Sequence, residues 1–193
     1  MAFLSRQQLD AIGFATVGEN VLVSERASFH NPAAIRLGSN VRIDDFCVLS
    51  AGAGGIEIGD FVHVAVYTSL IGAGRILLSD FTNLSSRVAI YSSNDDYSGA
   101  TMTNPMVPAE YKNVTSGDVV LEKHVIVGSG SVVLPNVTLH QGAAVAALSL
   151  VAASVPAFTI VGGVPARAIK KREDGLLALE EKLRQALNQS RNP

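Results

Sequence analysis

The chain has 193 residues, 48% of them apolar and 17% charged, with a net charge of −2. That length holds one domain of ordinary size; the balance excludes a disordered chain, and no basic stripe for nucleic acid is present. A single cysteine excludes a disulfide framework, and no apolar run reaches the roughly eighteen residues a membrane-spanning helix needs.

The first element in chain order is a short helix. Ser5-Arg6-Gln7-Gln8 reads as a capping box, with Gln8 three residues after the Ser5 hydroxyl. From Val17 onward an aliphatic or Phe residue opens six-residue units whose fifth position is small. The openers fall in threes: Val17, Val23, Phe29; Leu37, Ile43, Leu49; Ile58, Val64, Leu70; Leu78, Leu84, Ile90; Leu121, Val127, Val133; Leu139, Val145, Val151. Among the fifth positions, only Asn94 departs from the small-residue rule. Cys47 occupies one of these corner slots and reads as packing. An antiparallel sandwich would not keep this phase, whereas a parallel β-helix must. The expected fold is all-β, with about six triangular coils, each burying its interior only against its neighbours.

One long break interrupts the repeat. The chain leaves the solenoid near Ser92 and returns near Val119, so residues 92–118 form an inserted loop. Its aromatic and amide side chains suit a lid over a sugar ring. Residues 1–172 then form the β-helix domain and 173–193 a helix and tail. Leu176, Leu179, Leu183 and Leu187 share one helix face, and Glu180 precedes Arg184 by one turn. That apolar face is expected to cap the open end of the solenoid. With no signal-peptide pattern at the start, the default expectation is cytoplasmic.

The later coils and the segment from Gly163 to Lys170, Gly-Val-Pro-Ala-Arg-Ala-Ile-Lys, resemble the hexapeptide-repeat acyltransferases of the left-handed β-helix type. The stretch from Ile90 to Pro108 is similar to bacterial sugar O-acetyltransferases of the galactoside and O-antigen kind. The resemblance implies a left-handed coil and a homotrimer with active sites between subunits. It also implies acetyl transfer from acetyl-CoA to a sugar hydroxyl, as in surface-polysaccharide biosynthesis, with no metal. An N-acetyltransferase of an amino-sugar nucleotide is the nearest alternative, and a non-catalytic scaffold is another. A γ-type carbonic anhydrase would need three metal-binding histidines, two closely spaced; the four here are at least sixteen residues apart.

Acyl transfer to a hydroxyl needs a base for the acceptor's proton and a donor for the oxyanion. The family's usual histidine falls near Asn94 or Asp95, where this chain has none. His63, at a corner one coil below the insertion, is the candidate base. It lies roughly 15–20 Å from Asp95 and Asp96 within one subunit, a strand length away. The expectation is therefore that His63 of one subunit meets Asp95 or Asp96 of the next. The fallback is Asp95 acting alone as base. Asn83, one coil above His63, could orient substrate or stabilise the oxyanion. Asn94, Tyr97, Asn104 and Tyr111 are candidate sugar contacts. For CoA, the resemblance points to Gly128, Ser129, Ala146 and Ala147 beside the pantetheine arm, and to Arg167, Lys170 and Lys171 at the phosphates.

Overall fold

The computed structural model describes residues 2–191; Met1 and the last two residues of the predicted tail lie outside them. The alternating burial of the openers closes three parallel sheets around one core. The first face stacks Thr16–Val17, Ile35–Leu37, Ile56–Ile58, Ile76–Leu78, Val119–Leu121 and Val137–Leu139. The second stacks Leu22–Val23, Arg42–Ile43, His63–Val64, Asn83–Leu84, Ile126–Val127, Ala144–Val145 and Thr159–Gly162. The third stacks Ser28–His30, Val48–Ala51, Ser69–Gly72, Ala89–Tyr91, Val132–Val133 and Leu150–Val151. Beyond the six predicted coils a partial seventh follows: Val155 bridges Leu139, and Thr159–Gly162 pairs in parallel with Ala144–Val145.

Sixteen of the eighteen openers are buried; Val17 and Phe29 of the first coil pack partly exposed against the same core. The small-residue rule fails at the third corner of the early coils. Ala33 and Ala53 are exposed there, because extra residues precede the next opener. The vacated interior volume is taken by Ile35, Ile56 and Ile76, each fully buried two positions before an opener. Cys47 is fully buried, and burial pushes its thiol up to about 11. This agrees with a packing role.

The corner between the first and second faces carries a side-chain ladder. Asn20 donates to Asn40 at 2.8 Å, and the rings of Phe61, Phe81 and His124 stack at 5.0 and 4.9 Å. These five residues share left-handed backbone, with φ between 52° and 63°. Such a conformation costs roughly 1–2 kcal/mol per residue; ring stacking, worth about 0.5–1.5 kcal/mol a pair, offsets much of that.

Helix α1 (Arg6–Ile12) has the predicted capping box: Gln8 N donates to the Ser5 hydroxyl and Ser5 N to the Gln8 side chain. Its Leu9 is buried over the first coil. Helix α2 (Leu176–Arg191) departs from expectation. It does not cap the open end but runs along the ladder, with Glu180 and Arg184 inward and Leu179 64% exposed. Glu180 accepts from His124 (2.6 Å), Lys123 (3.3 Å) and Arg184 (2.7 Å), and Arg184 also donates to Asp80 (3.1 Å). The docking strip offers rings and charges, so a polar helix face matches it better than a leucine stripe. Covering the last coil is instead the strand Arg167–Lys171, which folds back antiparallel on Thr159–Gly162. Among the described residues no helix is long and apolar enough to cross a membrane.

Candidate functional site

The outer side of the second face gathers several of the candidate residues. Its strands place Arg42, His63 and Asn83 side by side in consecutive coils, about 4.8 Å apart. Asn83 thus stands directly above His63, as the repeat predicts. Two residues further along each strand runs a second column, Asp44, Ala65, Ser85, Gly128, Ala146 and Gly162, aligned by backbone hydrogen bonds from each coil to the next. From Ala65 upward nothing in it is larger than serine. The result is a smooth lane roughly 19 Å long, four strand spacings, leading from His63 to the basic strand Arg167–Lys171.

Gly128 has no room for a side chain. A Cβ there would lie 2.5 Å from the Ala147 nitrogen and 2.8 Å from the Val145 carbonyl oxygen. Ala146 lies in the lane, while Ser129 and Ala147 sit at its edge, on the corner towards the third face. Arg167, Lys170 and Lys171 are exposed, and Arg167 borders a cavity of about 630 Å³ lined also by Val151, Pro156 and Pro165.

His63 already has a carboxylate partner within its own chain. Its Nε2 lies 2.9 Å from Asp44 Oδ2, and Arg42 Nε donates to Asp44 Oδ1 at 2.7 Å. Burial works against the charge on Asp44, but the hydrogen bonds from Arg42 and His63 outweigh it and hold the carboxyl below its usual range. The sequence reading missed Asp44 and Ser85. A signal existed: both occupy outward slots two residues beyond Arg42 and Asn83, so one coil's shift brings them onto the patch around His63.

The insertion lies elsewhere, leaving the third corner of the fourth coil. Ser93–Asn94 pairs antiparallel with Thr115–Ser116, closing its neck. Asp96 is used inside the loop: it accepts from Ser98 N (2.8 Å), Thr101 N (3.1 Å) and the Thr101 hydroxyl (2.8 Å). Those bonds, Ser98's first, bring its pKa down to about 2. Asp95 is exposed and accepts no side-chain hydrogen bond from the described residues. Asn104 caps a turn through Met106 N at 2.9 Å. Asn94, Tyr97 and Tyr111 are exposed, Tyr97 by 87%. Within one chain neither aspartate meets His63.

Two other histidines are structural. His124 is buried, sandwiched under α2 against Glu180. His140 pairs with Glu122 at 3.1 Å. No group of three or more metal-ligating side chains occurs among the described residues.

No protein-family model matches the chain. A dTDP-4-amino-4,6-dideoxy-D-glucose acyltransferase of Escherichia coli is 56% identical over 180 residues, 93% of this chain and 94% of that protein. AntD, an N-acyltransferase from Bacillus cereus solved with dTDP and 3-hydroxybutyryl-CoA, superposes with a TM-score of 0.93 at 45% identity. It covers 96% of this chain and 98% of its own. A serine variant of AntD, solved with dTDP-4-amino-4,6-dideoxyglucose and CoA, gives a TM-score of 0.92 at 44% identity over 96% and 98% of the two chains. The chain belongs to the hexapeptide-repeat acyltransferases, enzymes that draw their acyl group from CoA.

Proposed function

We propose that this protein transfers an acyl group from acyl-CoA to the 4-amino group of a dTDP-linked 4-amino-4,6-dideoxyhexose. The observation that carries the reading is the second-face patch of His63, Asn83 and Ser85, at the foot of a lane of small residues that ends at basic side chains. A pantetheine arm is narrow and fits such a lane; the exposed Arg167, Lys170 and Lys171 suit the CoA phosphates. The relatives' substrates favour an amine acceptor over the sugar hydroxyl expected from the sequence. An amine is the better nucleophile and asks less of a base, which suits a chain without histidine at 94–95.

In this reading the protein is a cytoplasmic homotrimer of left-handed coils, and its product serves surface-polysaccharide assembly. The patch of one subunit faces the insertion of the next. The amine's lone pair attacks the thioester carbonyl, Asn83 or Ser85 donates to the oxyanion, His63 takes the amine's proton, and CoA leaves as the thiol. Asp95 of the neighbouring subunit accepts a hydrogen bond from the neutral amine of the acceptor and orients its lone pair towards the thioester. Asn94, Tyr97, Asn104 and Tyr111 line the sugar nucleotide. AntD has been solved with changes at a serine and an aspartate ten residues apart. Here three pairs have that spacing: Ser50 with Asp60, away from the patch, Ser85 with Asp95, and Ser86 with Asp96, where Asp96 is occupied by its own loop.

Release of free thiol from acetyl-CoA tests the reading. Turnover is expected with dTDP-4-amino-4,6-dideoxyglucose and absent with the 4-hydroxy analogue. His63→Ala is expected to lose at least ~100-fold, the low end for a general base. Equal rates on the two sugars would overturn the amine assignment.

A further inference from the structure

His63 has two ring nitrogens, and the fold treats them differently. Nε2 is 2.9 Å from Asp44 Oδ2, whose side chain is only 8% exposed. The other oxygen of Asp44 is fixed by Arg42 at 2.7 Å. Nδ1 has no hydrogen-bond partner among the described residues, and the His63 side chain is 41% exposed towards the outer surface of the second face. The charged groups facing His63 are Asp44 and Arg42 from the coil below; the coil above presents the neutral Asn83 and Ser85.

From this geometry we propose that Asp44 is a positioning residue that locks His63 in the Nε2–H tautomer, so that Nδ1 is the nitrogen that exchanges protons with the substrates. This rests on the acyl-transfer reading above and on His63 as its base. A buried, Arg42-anchored carboxylate accepts one N–H of the ring and therefore denies that proton to Nδ1. The bare Nδ1 lone pair takes the proton from the attacking amine as the C–N bond forms. The imidazolium then has both N–H groups satisfied, one on Asp44. When the C–S bond breaks and its electron pair goes to sulfur, the Nδ1 proton moves to the thiolate, restoring the starting tautomer. Arg42 keeps Asp44 ionised throughout, so the proton stays on the ring and does not move on to the carboxylate. Ser85 stands two residues from Asn83 on the same strand side, placing a hydroxyl donor beside the path between Nδ1 and the lane.

The test compares Asp44→Asn with His63→Ala and the wild type. Nitrogen-15 spectra of the wild type above the imidazole titration are expected to show His63 protonated at Nε2 and bare at Nδ1. Asp44→Asn is expected to mix the tautomers, lower kcat at least about 10-fold with KM little changed, and move the acidic limb of the kcat/KM profile to lower pH. The limb moves that way because removing the carboxylate beside the ring, while the positive charge of Arg42 remains nearby, disfavours the imidazolium. A purely structural Asp44 would leave the tautomer and the limb where they were. A wild-type spectrum with the proton on Nδ1 overturns the proposal without any variant, so it survives as a test if Asp44→Asn fails to fold. Loss of activity in His63→Ala but not in Asp44→Asn overturns the positioning role alone. Normal activity in His63→Ala removes the base on which it rests.

Discussion

The clamp around Glu180 yields a quantitative expectation for the docking of α2. Glu180 accepts from His124, Lys123 and Arg184, and although burial opposes its charge, these bonds bring its pKa from 4.5 to about 2. A depressed carboxyl pKa stabilises the fold at every pH above the unfolded value, and that contribution fades as pH falls from about 4.5 toward 2. Fully shielded, the shift would be worth on the order of 3 kcal/mol; solvent at the helix edge screens it to about 1–2 kcal/mol. Glu180→Gln is therefore expected to lower unfolding free energy in urea by about 1–2 kcal/mol at pH 7, with the gap to wild type narrowing at pH 3. Amide exchange should speed up throughout 176–189, because Arg184 loses its bond to Glu180 and keeps only weaker anchors, Asp80 and the Phe81 ring. A variant with the wild-type urea midpoint and unchanged exchange in α2 at pH 7 would refute the idea that this clamp holds the helix.

Three further outcomes are expected. Gly128→Ala should cost about 1–3 kcal/mol in thermal unfolding, since its Cβ would press on the backbone of the next coil, which cannot step aside; wild-type stability would show that the lane tolerates a methyl. Asp95→Asn should lower turnover with unchanged folding, whereas Asp96→Asn should speed amide exchange at Ser98 and Thr101; the reverse pattern would exchange their roles. Cys47, buried with its thiol at about 11, should not react with a thiol reagent at pH 8 until the chain is unfolded; rapid labelling of the folded protein would contradict the packing.

The carboxylate partner of His63 shows where reading the repeat stopped. The openers announced the coils, and the phase between them put Asn83 above His63. Asp44 was legible in principle from the same phase, but a diagonal neighbour one coil down is not read from a column alone. The helix was misjudged for a different reason. Four leucines at helical spacing predict an apolar face, yet the ladder of Phe61, Phe81 and His124 along the corner met Glu180 and Arg184 more favourably.

Chain sequence alone determined the parallel solenoid, because inward packing of like residues every six positions is a local rule repeated coil after coil. It also determined the buried role of Cys47, the capping box of α1 and the place where the insertion leaves. Tertiary structure alone decided which groups meet across coils. The Arg42–Asp44–His63 line, the lane from Ala65 to Gly162, the use of Asp96 by its own loop and the burial of His124 under α2 all depend on exact stacking between residues about twenty or more apart, or on how a loop folds on itself. Hydrogen bonds of that kind are set by angstrom-scale registry, which no residue-by-residue pattern encodes.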